Sequence, residues 1–124
     1  MRFTLEFADS ELRDIVREGA LVRLRLAAAA VRDEAGERGW LTSVTLEMTA
    51  ATLHGDTTHA FGKISGAGLR QDTRGLRSLD VPGRLTGDVE LALRLANGTR
   101  FVTRGYALEA TVADDARFAQ DLSC

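Results

Sequence analysis

The amino-acid sequence predicts an all-β domain, or a β domain with one short helix. It is expected to fold as a single antiparallel sandwich or a partly closed barrel of about eight strands. Three observations predict this. Apolar residues recur at every second position over long runs, the period at which the side chains of a strand share one face. Asn97-Gly98 stands between two such runs, and that pair accepts the positive φ angles of a tight hairpin turn. The runs reach about a dozen residues, and strands that long coil until their sheet curves back on itself.

Phe3, Leu5 and Phe7 alternate with Arg2, Thr4 and Glu6, the first run. Residues 10–18 admit two readings. Leu12, Ile15 and Val16 have helical spacing, with Ser10 as an N-cap and Gly19 as a stop. The same residues make a bulged strand that pairs with residues 20–31 through a turn at Glu18-Gly19, and this reading is preferred. Val22, Leu24, Leu26, Ala28 and Ala30 share one face, with Arg23 and Arg25 on the other. Asp33 to Gly39 is a charged loop. Trp40 then stands in phase with the inward set Val44, Leu46 and Met48. Residues 55–84 are the least regular, and Val81-Pro82-Gly83 breaks the chain near their end.

Val89, Leu91, Leu93 and Leu95 form the next inward face. A two-residue turn at Asn97-Gly98 pairs Leu93 with Val102 and Val89 with Tyr106, and Leu108, Ala110 and Val112 continue that face. Arg104 then falls opposite Leu91 on the apolar side, where a guanidinium needs a carboxylate, water or a ligand. A bulge at Gly105 instead turns Arg104 outward and brings Phe101 inward. In the tail, Asp114 to Leu122, Phe118 and Leu122 lie four apart, which predicts one helical turn docked on the sheet.

A chain of 124 residues makes one domain, 1–124, with enough core to fold unaided. Its net charge of −2 gives no field for a nucleic-acid backbone. Lys63 is the only lysine among sixteen basic residues, a bias attributed first to GC-rich codons. Cys124 is the only cysteine, so the chain closes no disulfide, as in a reducing compartment. The first residues carry charge within their apolar run, unlike a secretory core. No run reaches the ~18 apolar residues of a membrane helix. A cytoplasmic location with no membrane partner is the expectation.

His54, Asp56 and His59 are the one cluster of metal-ligand types, able to hold iron or zinc if they converge. A polar turn with Asp56 bonded to backbone amides is the simpler reading, and no cofactor is expected. Gly62-Lys63 fails as a nucleotide loop, because Thr57 stands where a glycine is needed and Ile64 where Ser or Thr is needed. Arg70, Arg74, Arg77 and Arg84 form the densest basic stretch, able to bind phosphate or the acidic face of a protein. Asp72 and Asp80 sit among them and largely cancel the field, and a solvated, salt-bridged loop is the preferred reading of the stretch. Arg70, Arg74, Arg77 and Arg104 are the candidate ligand- or partner-binding residues. No catalytic constellation stands out, and no Gly-x-Ser-x-Gly elbow occurs.

The pattern Phe7-x-Asp9-Ser10-x-Leu12-x-x-Ile15, followed by Gly19 and Val22-x-Leu24-x-Leu26, resembles the opening of small uncharacterised bacterial all-β proteins. Some of these are similar to immunity proteins that neutralise toxins passed between bacteria. The stretch Val89 to Gly98 is similar to their late hairpin. The resemblance implies a fold and a kind of role, and it carries over no catalytic residue. The leading expectation is therefore a non-enzymatic, protein-binding β-domain, immunity-like or accessory. Its alternatives are a small-molecule-binding β-barrel, with space left by Ala28, Ala30, Ala50, Gly87 and Ala110, and a metal-dependent enzyme using His54, Asp56 and His59. The preferred account of the interior is a packed one, with Arg104 at its rim or paired to a carboxylate.

Overall fold

The structure, a computed structural model, describes residues 2–120. Every regular element among them is a strand: β1 (Phe3–Glu18), β2 (Leu21–Arg32), β3 (Arg38–Leu41), β4 (Val44–Thr49), β5 (Thr52–Gly55), β6 (Gly62–Gln71), β7 (Arg74–Leu76), β8 (Leu79–Val81), β9 (Gly83–Leu95), β10 (Arg100–Val112) and β11 (Phe118–Gln120). The all-β expectation holds. Eleven strands replace the expected eight because short pieces split off the long runs. Six of them close an antiparallel barrel in the order β1-β2-β4-β10-β9-β6 and back to β1. β3 and β11 extend the sheet beside the second half of β2, β5 pairs with β10, and β7 and β8 pair with β6 and β1.

β1 closes the barrel. Residues 10–18 are strand, paired with β2 through the turn at Gly19. The alternation of β1 changes phase midway. Phe3, Leu5 and Phe7 point inward, and so do Ser10 and Leu12. The change occurs where β1 runs from Glu6 to Glu11 while β2 runs only from Ala30 to Ala28. Asp9 sits there at φ 73°, in the left-handed region that Asp tolerates better than most residues. Ser10 fills the excursion. Its buried hydroxyl donates to the Glu6 carbonyl at 2.7 Å and accepts from the Ala30 amide at 2.8 Å. Both backbone groups thereby gain a side-chain partner beside the excursion. β1 then meets β6 through only two residue pairs, Glu11 with Lys63 and Leu12 with Gly62.

The β9–β10 hairpin turns at Asn97-Gly98 as expected, but its register differs by one residue. Leu93 pairs with Phe101, and Thr103 with Leu91, in place of Leu93 with Val102 and Val89 with Tyr106. The loop holds three residues, closed by Leu95 and Thr99, and Gly98 at φ 91° supplies the left-handed position that such a loop requires. The shift turns Phe101 and Thr103 inward and Arg104 outward, beside Glu90 and away from Leu91. A bulge in β9 at Gly87 and Asp88 then resets the phase, so that Leu108 and Ala110 face inward as expected. Gly105 marks the kink, because a Cβ there would collide with the Thr49 carbonyl oxygen.

Two further expectations are corrected. Trp40 is not in phase with Val44. Thr42 and Ser43 separate β3 from β4, Leu41 takes the inward position, and Trp40 is 37% exposed on the outer wall. The tail forms no helical turn over its described part. Phe118–Gln120 is strand β11, and the Phe118 ring lies 5.3 Å from that of Phe3; Leu122 and Cys124 lie outside the described residues. The proposed inward small residues are only partly inward, since Ala50 is exposed and Gly87 lies in the β9 bulge. Leu24, Leu46, Met48, Leu91, Leu93 and Leu108 fill the barrel and are essentially inaccessible. Each such side chain stabilises the fold by roughly 1.5–3 kcal/mol.

Ser10→Ala should lower the unfolding free energy by about 1–3 kcal/mol, because the Glu6 carbonyl and the Ala30 amide lose their partner inside the wall. Urea denaturation measures this directly. A variant as stable as the parent would show that the hydroxyl does not hold the excursion of β1.

Candidate functional site

A concave surface of about 400 Å3 lies at one end of the barrel. The chain builds it while crossing from β6 to β1. Asp72, at φ 55°, turns the chain so that β7 returns along β6. β8 then pairs with the start of β1, Leu79 with Leu5 and Val81 with Phe3. Leu79 and Val81 face the core, so the strand period sends Asp80 outward. The turn at Val81-Pro82-Gly83 leads into β9.

Leu76, Leu79, Pro82 and Leu85 give this concavity apolar lining, and Arg2, Arg74 and Arg84 give it basic lining. Asp80 is the only carboxylate in its lining. Arg2 and Arg74 form no ion pair among the described residues. Arg84 reaches Glu109 only at 3.9 Å, beyond hydrogen-bond length. Gln71 is already engaged, donating to the Thr86 carbonyl at 2.8 Å. The arrangement can seat an apolar group while guanidinium forks bind carboxylates at its edge.

The four arginines singled out from sequence do not converge. Arg74 alone enters this concavity. Arg70 pairs with Glu90 on the outer wall of β6 and β9. Arg104 clamps Asp88 through two bonds, Nε to Oδ1 at 3.0 Å and Nη2 to Oδ2 at 2.7 Å. Arg77 borders a separate cleft of about 350 Å3 between β1 and β6, with Phe7, Leu69 and Leu76. Arg2 was invisible to local reading. It is brought beside Arg74 and Arg84 by the long-range pairing of β1 with β8.

His54, Asp56 and His59 are not assembled as a metal site. His54 is exposed on β5, opposite Val102. Asp56 accepts the Thr58 amide at 3.0 Å and the Thr58 hydroxyl at 2.6 Å, and these bonds hold its carboxyl below the usual range. The His59 ring stands edge-on to Phe61 at 6.3 Å. Among the described residues, no group of three His, Cys, Asp or Glu side chains is placed to hold a metal ion. No helix among them is long and apolar enough to cross a membrane. Comparison with protein-family models, curated proteins and solved structures finds no match. The functional reading therefore rests on the chain's own geometry.

The Arg104 bonds hold the Asp88 carboxyl below its usual range, and Arg25 does the same for Asp14. A carboxyl depressed in the folded state stabilises the fold above its unfolded value, and that contribution is lost as pH falls through the folded value. The urea midpoint should accordingly fall as pH is lowered below about 5 and these carboxyls take up protons. Asp88→Asn should make the fall shallower. An unchanged slope would show that the clamp is not maintained in solution.

Proposed function

We propose that this chain is a non-enzymatic, protein-binding β-domain that grips an acidic segment of its partner around an apolar anchor. The observation carrying this reading is the concavity lined both by Leu76, Leu79, Pro82 and Leu85 and by Arg2, Arg74 and Arg84. Interfaces concentrate their energy where an anchor fills a pocket and arginine binds at its edge. An immunity-like or accessory role suits such a surface, since neutralising or assisting another protein requires shape and charge without chemistry. The packed barrel favours this reading over an internal small-molecule site, because the side chains at its centre leave no accessible surface.

The reading is tested with a short synthetic peptide of glutamates flanking one leucine, titrated into the 15N-labelled protein. Amide shifts should saturate and cluster at Gln71, Arg74 and residues 78–85. Affinity should weaken as salt rises, because screening removes the guanidinium–carboxylate attraction. The double variant Arg74→Glu/Arg84→Glu should lose binding by about tenfold or more. Absence of saturable shifts, or shifts elsewhere that survive the double variant, would refute it.

A further inference from the structure

A second arginine cluster lies at the other end of β9. Arg94 and Arg100 are direct cross-strand partners at the base of the Asn97-Gly98 hairpin. Like charges directly opposite each other destabilise a sheet. Elsewhere on the same wall cations are matched, Arg70 with Glu90 and Arg104 with Asp88. Arg94 and Arg100 have no carboxylate partner among the described residues.

The surroundings leave room for this pair. The Arg94 guanidinium lies across Gly66 of β6, where any Cβ would collide with it. Both arginines line one concavity of about 360 Å3 together with Ser65, Leu95 and Gly98. An adjoining concavity shares Gly98 and Arg100 and includes Asp56 and His59. Asp56 is the carboxylate in that lining, and its Oδ1 is occupied by Thr58. The Ser65 hydroxyl donates to the Arg94 carbonyl at 3.2 Å. Recognition at this spot therefore belongs to the two guanidinium groups.

We propose that Arg94 and Arg100 form a binding site for a tetrahedral oxyanion, phosphate as the free ion or as a phosphomonoester. Such an ion carries between one and two negative charges near neutral pH and presents acceptor oxygens on several sides. One ion can accept from both guanidinium groups and cancel their repulsion. A carboxylate has one charge and one plane of acceptors, and it satisfies the pair less well. The site is separate from the concavity at Arg74 and Arg84, and its test does not depend on that reading.

The experiment titrates the 15N-labelled protein with inorganic phosphate at constant ionic strength, balanced with chloride. Amide shifts at Ser65, Gly66, Arg94, Gly98 and Arg100 should saturate. Arg94→Gln and Arg100→Gln should each weaken binding by about tenfold, the share of one charge-assisted contact. Arg13→Gln, on β1, should leave it unchanged. Arg100→Glu, which replaces a repulsion by an attraction, should be at least as stable as the parent in phosphate-free buffer and should not respond to phosphate. A parallel titration with O-phosphoserine separates the two sources. Tighter binding than phosphate identifies a phosphomonoester, and equal or weaker binding identifies the free ion. Shifts that stay linear, saturation that survives both glutamine variants, or an Arg100→Glu protein less stable than the parent would overturn the proposal.

Discussion

Closure of the barrel passes through a single strand, and that strand is interrupted. β1 must pair with β2 along its length, with β8 at its start and with β6 at its middle. No straight strand lies beside all three. The excursion between Glu6 and Glu11 permits it, and the buried Ser10 hydroxyl makes the excursion tolerable by satisfying one carbonyl and one amide. Lys63 and Asp9 also bridge the seam at 3.1 Å, but an exposed pair of that kind contributes little. The two ladder pairs with β6 and the burial of Leu12 therefore depend on Ser10 keeping β1 in register.

The same strand positions the candidate binding surface. Where β1 and β6 part company, β7 and β8 occupy the space between them. The turns that this crossing requires leave Arg74, Asp80 and Pro82 at the barrel end. Arg2 arrives there only because Phe3 pairs with Val81. The concavity is thus a consequence of incomplete pairing between two barrel strands. Along the middle of β6, β9 and β10 the charges are matched, Arg104 with Asp88 and Arg70 with Glu90. Charges matched within one chain have little left to offer a partner, whereas those at the barrel end remain available.

The period of two in the sequence was enough to find the long strands and their inward faces, because one side of each is buried. It identified the hairpin at Asn97-Gly98 and the strand at residues 10–18. It misplaced Tyr106, and left Arg104 open between inside and outside, because a loop of three residues differs from one of two by a single register step, and each step exchanges inside for outside. It misplaced Trp40 because the break at Thr42 and Ser43 carries no glycine or proline to announce it. The site was less legible than the fold. Arg74 and Arg84 are close in sequence, but Arg2 joins them through a contact spanning most of the chain, and periodicity carries no information about such contacts.

Native-state hydrogen exchange across a urea series tests the role of the β1 closure most directly. If Ser10 locks the seam, the amides of Leu12, Lys63 and Ala30 will exchange only through global unfolding, with the same urea dependence as Leu24 and Leu91 in the barrel. The contradicting result is exchange of those three amides through a local opening insensitive to urea while Leu24 and Leu91 stay protected. The barrel would then hold together without closure at β1, and Ser10 would not be its lock.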